Sequence, residues 1–459
     1  MNASVPVAAV DFGAASIRVC RIDVAASNPV LEVVHRVSHQ PRADASGVLR
    51  WDWDRLVDAM LTGIRRVLEL GPVASIGIDT WGVDYGLVDA GGALVEPPVS
   101  YRDRRTAGYR DVVDRVGAKR LYDIAGLQLM PINTIFQLAS HDPAALARAA
   151  HVVMLPELLA WHLTGRVTAE LTSAGTTGLL DVTTGGWSNE LLDAIGLRPG
   201  LLPAIERPGS LVGHWEGVPV HLVGGHDTAS AVLAGGGRSG AFVSAGTWLL
   251  VGREQEHPDV SAWARDRSFT NEQGAAGGIR LLRNVAGWWL VEECRRTWGD
   301  STGIDELLAA AAAAGPVPTI DATDERFLAP ADMPAELAAA AGLADDADRA
   351  TIVRCAVESM AAATATICAD LDAASVSVFG GGSRAPLYLD ALADRGLDVA
   401  TGPVEATALG NAMSQALTLG VFDSVAAARD VLAERAAQAD QGVTGKGSAS
   451  AASVPETKR

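Results

Sequence analysis

An apolar strand, a turn of small residues and a second apolar strand follow one another twice in this chain. The first copy covers residues 5–12, turns at 14–16 and continues over 17–24. The second covers residues 241–252, and its turn is centred on the small residues at 244–247. Each hairpin opens a stretch in which strands alternate with helices, which is typical of α/β domains.

The rest of each half repeats the same order of elements. In the first half, apolar residues at helical spacing over 53–70 precede a strand at 74–78. In the second half, a long amphipathic helix at 346–371 feeds a strand at 375–379. A chain of 459 residues also exceeds one ordinary core. We therefore predict two domains, at residues 1–236 and 237–435, and a disordered tail at 436–459, which has almost no large apolar residue.

Charge and composition exclude several classes of partner. The formal net charge of -18 argues against nucleic acid, whose backbone would be repelled. The N-terminus has no signal-peptide pattern, and the Ala-rich stretch at 307–315 is too short to span a membrane. We expect a cytoplasmic protein with no membrane association; the sequence does not predict its oligomeric state.

The four cysteines are scattered without metal-ligand spacing, so they are interpreted as buried thiols.

Two segments resemble nucleotide-binding signatures in residue type, but not in spacing or structural context. Residues 235–240 match GxGxxG, but a strand pattern follows them where a dinucleotide fold requires a helix. The lysine-containing run at 442–446 has the wrong spacing for a P-loop and lies in low-complexity sequence. Neither segment is expected to bind a nucleotide.

The two hairpin turns are better candidates for phosphate binding. Successive N–H groups in a turn of small residues can converge on one phosphate oxygen, and Ser16 and Thr247 add hydroxyl donors. Asp11 lies just ahead of the first turn, where a carboxylate could hold Mg²⁺. Ordinary turn chemistry explains either motif alone. The three glycines at 380–382 suit either the close approach of a flat ligand such as adenine or a tight strand-to-helix crossover.

The triplet His226-Asp227-Thr228 follows an apolar strand and opens a helix. Asp227 at that position suits either a helix cap or a general base that accepts a hydroxyl proton during phosphoryl transfer. Trp81 follows another strand end among polar residues, a setting that suits sugar binding.

These motifs together resemble the FGGY carbohydrate kinases, over about residues 5–425. The most specific are IGIDTWGVD at 76–84 and GHDTAS at 225–230, with YRDRRT at 101–106, GLQLMPINT at 126–134 and SAGTW at 244–248 in the same order as in the family. The resemblance implies two ribonuclease-H-like domains, as in actin-like ATPases, with ATP and Mg²⁺ in the cleft between them. It also implies a small ketose as phosphoryl acceptor, L-rhamnulose by preference, with L-fuculose or L-ribulose as alternatives. A non-catalytic nucleotide-binding regulator is a further alternative.

The resemblance also implies roles for individual residues. It makes Asp227 the catalytic base and Asp11 the metal-side carboxylate. The implied sugar-binding positions are Gly82, His226, Asp227, Thr228 and Asn284. The implied ATP-binding positions are Ala14, Ala15, Ser16, Ile17, Arg18, Thr247, Glu292 and Gly381. Three of these depart from the family pattern, because Ile17 replaces a usual glycine, Ala15 a common serine and Glu292 an expected glutamine.

Overall fold

The computed structural model describes residues 4–24, 30–236, 240–299, 302–327, 330–344 and 346–431. The tail that the sequence predicts to be disordered, 436–459, lies outside the described residues.

The described strands are short and are given in chain order. They are β1 Pro6–Phe12, β2 Ser16–Asp23, β3 Val30–Ser38, β4 Arg42–Ala43, β5 Leu49–Arg50, β6 Ile76–Thr80, β7 Tyr85–Asp89, β8 Ala149–Met154, β9 Ala169–Glu170, β10 Leu180–Asp181, β11 Gly186–Trp187, β12 Ile205–Glu206, β13 Leu211–Trp215, β14 Val218–His221, β15 Ala241–Ala245, β16 Leu249–Gln255, β17 Thr270–Gln273, β18 Ile279–Val285, β19 Ser375–Phe379 and β20 Asp398–Thr401.

The helices alternate with these strands. They are α1 Trp53–Glu69, α2 Arg110–Val116, α3 Ala118–Ala125, α4 Thr134–Ala139, α5 Pro143–Arg148, α6 Leu155–Thr164, α7 Leu171–Ala174, α8 Asn189–Ala194, α9 Asp227–Gly235, α10 Ala262–Asp266, α11 Trp289–Trp298, α12 Ile304–Ala313, α13 Met333–Ala341, α14 Arg349–Asp370, α15 Pro386–Ala393 and α16 Ala406–Thr418. Short 3₁₀ turns occur at Arg104–Gly108, Glu325–Phe327 and Gly381–Arg384.

Two six-stranded sheets share the same topology over five of their strands. The first has the order β3-β2-β1-β6-β14-β13 and the second the order β17-β18-β16-β15-β19-β20. In the first, β1 pairs antiparallel with β2 and parallel with β6, and β6 pairs parallel with β14. In the second, β15 likewise pairs antiparallel with β16 and parallel with β19, and β19 pairs parallel with β20. The repeated pattern predicted from the sequence is therefore a duplicated sheet order, with β13 and β17 as the added edge strands.

In each unit a helix precedes the strand that pairs parallel with the first strand of the sheet. These helices are α1, before β6, and α14, before β19. Apolar residues of α1 such as Leu56, Met60 and Ile64 are buried against the first sheet. By length and composition α14 could span a membrane, but 61% of its most apolar 18-residue window is buried inside the protein. Its buried residues belong to the core of the second sheet, as expected for the core helix of a globular domain.

One helix of each unit crosses to the other. From the first unit, α9 places Ala231 and Val232 in one apolar cluster with Phe242 and Phe379 of the second sheet. From the second unit, α16 reaches the first sheet, where Gln415 Nε2 donates to the Ala8 carbonyl at 3.0 Å. The two helices also pack directly on each other. This crossed pair connects the two sheets beneath the cleft between them.

Most of the elements predicted from the sequence are confirmed with small shifts at their ends. The helix predicted at 53–70 ends at Glu69, and the long helix predicted at 346–371 begins at Arg349 after the N-cap Asp348. The strand predicted at 375–379 has those bounds. The strand predicted at 74–78 instead runs over Ile76–Thr80, because parallel pairing with β1 extends it through Asp79.

All four cysteines are free and buried in the structure, which confirms their interpretation as buried thiols. Burial raises the pKa of Cys20 to about 12 and that of Cys368 to about 11. Because the thiolate is the reactive form, we expect native protein to react only slowly with a thiol reagent and to give four labels in denaturant. Mass spectrometry of labelled protein measures this, and rapid labelling of any thiol in the native protein would contradict it.

Candidate active site

A cavity of about 330 Å³ lies between the two sheets, where strands of both units end. It is bordered by the turn after β1, the segment after β6, the start of α9 and the turn between β15 and β16. This size falls within the range of small-molecule sites. Since both units contribute walls, the cavity forms only when the two sheets face each other as they do here.

The two predicted phosphate hairpins lie on the wall of this cavity. In the first, Gly13 N donates to the Ser16 carbonyl at 3.0 Å and closes the turn. In the second, Gly246 N donates to the Trp248 carbonyl, also at 3.0 Å. Glycine and alanine in both turns leave the backbone open to the cavity. Backbone N–H groups in such turns are suited to bind phosphate oxygens.

Two carboxylates end neighbouring strands beneath the first turn. Asp11 of β1 and Asp79 of β6 are aligned in the register of the sheet, and both are fully buried. Burial raises the pKa of Asp11 to about 6, with Arg18 opposing the shift and Asp227 adding to it. The pKa of Asp79 is raised well above its usual value by burial and by Asp11. Burial therefore disfavours ionisation of both carboxyl groups, and a cation near the cavity would stabilise their charged forms.

Arg18 lies directly beside this pair of carboxylates. Its Nη2 atom is 2.8 Å from Asp11 Oδ2, and its Nη1 atom donates to Glu405 at the start of α16. Neither Asp11 oxygen accepts a hydrogen bond of normal geometry from the described residues, so the contact is an ion pair only. Arg18 thus bridges the first hairpin and α16.

Asp227 is the first residue of α9, and His226 is its N-cap. Asp227 Oδ1 accepts from Thr228 N at 2.6 Å and lies 3.4 Å from His226 Nε2. Burial raises the pKa of the Asp227 carboxyl, and His226 opposes that shift. With 24% of its side chain exposed, Asp227 still faces the cavity and is available to an incoming hydroxyl.

A buried ion pair from the second sheet contacts His226. Arg280 Nη2 lies 2.9 Å from Glu272 Oε2, and the two groups lie 3.2 Å and 3.3 Å from His226 Nδ1. Burial alone would raise the pKa of Glu272, but Arg280 and His226 hold it below its usual value. The histidine ring is therefore held between a carboxylate of its own segment and a charged pair across the cleft.

The segment after β6 has a strained backbone beside the cavity. Val83 has φ 68, an uncommon conformation for a β-branched residue. Its backbone is held by Thr176 Oγ1, which accepts from Val83 N at 3.1 Å, and by Thr134 Oγ1, which donates to the Val83 carbonyl at 2.7 Å. At Gly82 a side chain would approach Thr176 Cγ2 to 3.0 Å, so the segment lies tightly against that residue. Strain of this kind is often found at binding sites.

Trp81 also lines the cavity, and its ring contacts the rings of His39 and Trp51. Its ring stacks on His39 at 5.3 Å, and its Nε1 donates to Asp84 at 3.0 Å. Asp84 also accepts from Trp51 Nε1 at 2.7 Å and is fully buried outside the cavity lining. The Asp84 carboxylate therefore orders the two indoles.

On the opposite wall, Asn284 ends β18 and meets Gln128 from the first unit. The backbone N and the Nδ2 atom of Asn284 each lie 3.3 Å from Gln128 Oε1. Both residues line the cavity. This contact joins the two walls at the predicted sugar side.

The structure brings most of the predicted site residues to this one cavity. They are Asp11, Ala14, Ala15, Ser16, Arg18, Gly82, His226, Asp227, Thr228, Thr247, Asn284 and Gly381. Ile17 and Glu292 do not line it. The Ile17 side chain is buried in the core of the first sheet, because alternate residues of β2 face opposite sides. Glu292 lies on α11 with a side chain 48% exposed and pairs with Arg295 at 2.7 Å.

Several cavity residues were not predicted from the sequence. Gln128 and Tyr101 lie within motifs of the family resemblance, but the resemblance implied no role for either residue. Arg36 and Thr176 also line the cavity, and no sequence pattern pointed to them.

The described residues contain no group of three or more His, Cys, Asp or Glu side chains placed to hold a metal ion. Asp11 is nevertheless a buried carboxylate beside the first turn, without a normal hydrogen bond from the described residues. Mg²⁺ is commonly held by one or two carboxylates together with phosphate oxygens and water. A buried carboxylate in this position fits a cation that arrives with a nucleotide.

Family models match both halves of the chain. The N-terminal domain model of the FGGY family of carbohydrate kinases matches residues 7–236, and the C-terminal domain model matches residues 241–419. The chain belongs to the FGGY family of carbohydrate kinases. It is a sugar kinase, and membership implies ATP as the phosphoryl donor to a small-molecule sugar.

Curated relatives and solved structures agree with this assignment. A protein of Bacteroides thetaiotaomicron named rhamnulokinase is 36% identical over 92% of this FGGY kinase and 93% of its own length. A Klebsiella pneumoniae protein of the same name is 35% identical over 94% of this chain and 93% of its own. Ligand-bound xylulose kinase from Lactobacillus acidophilus superposes with a TM-score of 0.76, at 16% identity and 95% and 96% coverage. The predicted fold, two domains of the actin-like ATPase type with the site between them, is confirmed.

Proposed function

We propose that this FGGY kinase transfers the γ-phosphoryl group of ATP to L-rhamnulose and forms L-rhamnulose 1-phosphate. The observation that carries the proposal is its similarity, at 35–36% identity over more than nine-tenths of the chain, to proteins named rhamnulokinase. The solved neighbours include enzymes named for xylulose and gluconate, but at 16% identity they support the fold alone. A cytoplasmic location remains a prediction.

Asp227 is the proposed general base. The sugar hydroxyl oxygen attacks the γ-phosphorus in line, the bond to the β–γ bridging oxygen breaks, and ADP leaves while the hydroxyl proton passes to the Asp227 carboxylate. Its exposure to the cavity and its position at the start of α9 support this role. Gly82, His226, Thr228 and Asn284 are proposed to bind the sugar around it.

The two hairpin turns are the proposed phosphate cradle. Backbone N–H groups at 14–16, together with Thr247 and Arg18, would stabilise the charge on the transferring group. Mg²⁺, held on the protein side by Asp11, would neutralise phosphate charge when bound. Gly381 is proposed to lie against the nucleotide, because a glycine there leaves room for close approach.

Contacts across the cleft support coupling between sugar binding and catalysis. Besides the Gln128–Asn284 contact, Asn271 Nδ2 donates to the Gly126 carbonyl at 3.0 Å and Tyr122 Oη to the Phe269 carbonyl at 2.8 Å. These bonds hold the two walls together, and we propose that closure of the cleft excludes water from the transferring group. We expect ATP hydrolysis without sugar to be slow.

ADP release from MgATP tests the substrate assignment. We expect strong turnover with L-rhamnulose and at least about tenfold lower kcat/KM with L-fuculose, L-ribulose, D-xylulose and glycerol, since one substituent contact is worth roughly tenfold or more. Preference for another ketose would overturn the assignment of L-rhamnulose as the substrate, but it would agree with sugar-kinase activity. Binding of ATP with no turnover on any sugar would favour a regulator.

A further inference from the structure

The backbone that leads into Asp227 is held from behind by two buried side chains. Gly225 N donates to Glu170 Oε2 at 3.0 Å, and His226 N donates to Thr172 Oγ1 at 3.1 Å. Thr172 Oγ1 in turn donates to Glu170 Oε2 at 2.5 Å. Both N–H groups immediately before the proposed base are therefore fixed by one connected pair of side chains.

The pair is itself rigidly held. Glu170 and Thr172 are both fully buried. Glu170 also accepts from Thr172 N at 2.8 Å, from Ser173 N at 3.1 Å and from Ser173 Oγ at 3.5 Å, so five donors fix its carboxylate. At Gly225 a side chain would come within 2.9 Å of Glu170 Oε2, which means that the backbone lies directly against the carboxylate.

A second buried carboxyl group, that of Glu157, lies beside Glu170. Neither oxygen of Glu157 has a hydrogen-bond partner among the described residues, and burial beside Glu170 raises the pKa of Glu157 well above its usual value. Two adjacent buried carboxylates cannot both ionise cheaply. Burial raises the pKa of Glu170 as well, but the donors from Thr172, Ser173 and Gly225 oppose that shift. The hydrogen bonds therefore favour Glu170 as the ionised member of the pair, which accepts from Gly225 and Thr172.

Neither Glu170 nor Thr172 is among the described residues that line the cavity, so neither touches a substrate. We propose that Glu170 and Thr172 are positioning residues that set the place of the Asp227 carboxylate by fixing the Gly225 and His226 backbone. The proposal rests on the role of Asp227 as general base. A base displaced by a fraction of an ångström from its hydroxyl loses rate, because proton transfer depends on hydrogen-bond geometry.

Replacing Thr172 tests the proposal with little change of volume. Thr172→Val removes the acceptor for His226 N, and Thr172→Ser keeps it. We expect Thr172→Val to lower kcat about tenfold with the KM for ATP nearly unchanged, and Thr172→Ser to restore most of the loss. Thr177→Val is the matched control, because Thr177 is equally buried but its hydroxyl donates to the Ala174 carbonyl, away from the Asp227 segment.

A double variant separates this proposal from the role of Asp227 itself. In the Asp227→Asn background, Thr172→Val should cause no further loss of kcat, since it acts through the missing base. Full activity of the Asp227→Asn single variant would overturn the role of Asp227 as general base. If Asp227→Asn has a strongly lowered but measurable kcat and Thr172→Val still lowers it by its full factor, the positioning role is overturned. A folded Thr172→Val with unchanged kcat would overturn it as well. Should Thr172→Val fail to fold, Glu170→Gln is measured in its place with the same criteria.

Discussion

Asp227→Asn is expected to lower kcat by about 10²-fold or more, because an amide cannot accept the hydroxyl proton as a carboxylate does. Asparagine retains an oxygen that can accept from Thr228 N, so the start of α9 should keep its local bond. Stopped or continuous ADP-release assays at saturating MgATP and sugar measure the effect. The melting temperature checks that the variant is folded.

The same residue predicts a pH dependence. Because burial raises the pKa of Asp227, the base is protonated at a higher pH than an ordinary aspartate would be. The kcat of the wild type should therefore fall as the pH drops through that raised pKa, and the residual activity of Asp227→Asn should lack this limb. Asp348→Asn is the matched control: it makes the same change at the start of α14, where the side chain is exposed and accepts from Thr351 N. Equal kcat in Asp227→Asn and Asp348→Asn would contradict the role of Asp227.

Gly410→Ala is expected to cause the largest loss of stability. In α16 a methyl group at position 410 would lie 1.7 Å from the Ser230 carbonyl oxygen of α9, so the two helices must move apart. Overpacking of a tight core costs roughly 3 kcal/mol when backbone must shift. Because α9 begins with Asp227, kcat should fall together with stability.

Denaturant titration followed by circular dichroism measures this loss as a lower unfolding midpoint. Gly315→Ala is the matched control, since a side chain at Gly315 would meet no atom within 4 Å. A Gly410→Ala midpoint equal to that of Gly315→Ala would show that the helices tolerate the methyl group and that their close contact is not required.

The sequence predicted the local elements well where side-chain periodicity decides them. The apolar face of α1 repeats every three to four residues, and β19 is a short apolar run bounded by turn residues. The family motifs also located most of the cavity, because they combine strand ends and turns that a shared fold places together. Periodicity could not separate the roles of neighbouring positions, as Ile17 shows: it follows Ser16 directly but faces the core.

Only the tertiary structure decided the contacts between residues far apart in the chain. Arg18 pairs with Glu405 across 387 positions, and Asn411 Nδ2 donates to Asp79 across 332. No local pattern in the sequence encodes such pairs. A charged or polar residue has the same neighbours in the sequence whether its side chain is solvated or contacts a residue of the other half. The sequence by itself therefore determined the duplicated α/β elements and the family. The crossing of α9 over α16, the support behind Asp227 and the exclusion of Glu292 from the cavity were decided by packing, because burial and distance exist only once the two halves have met.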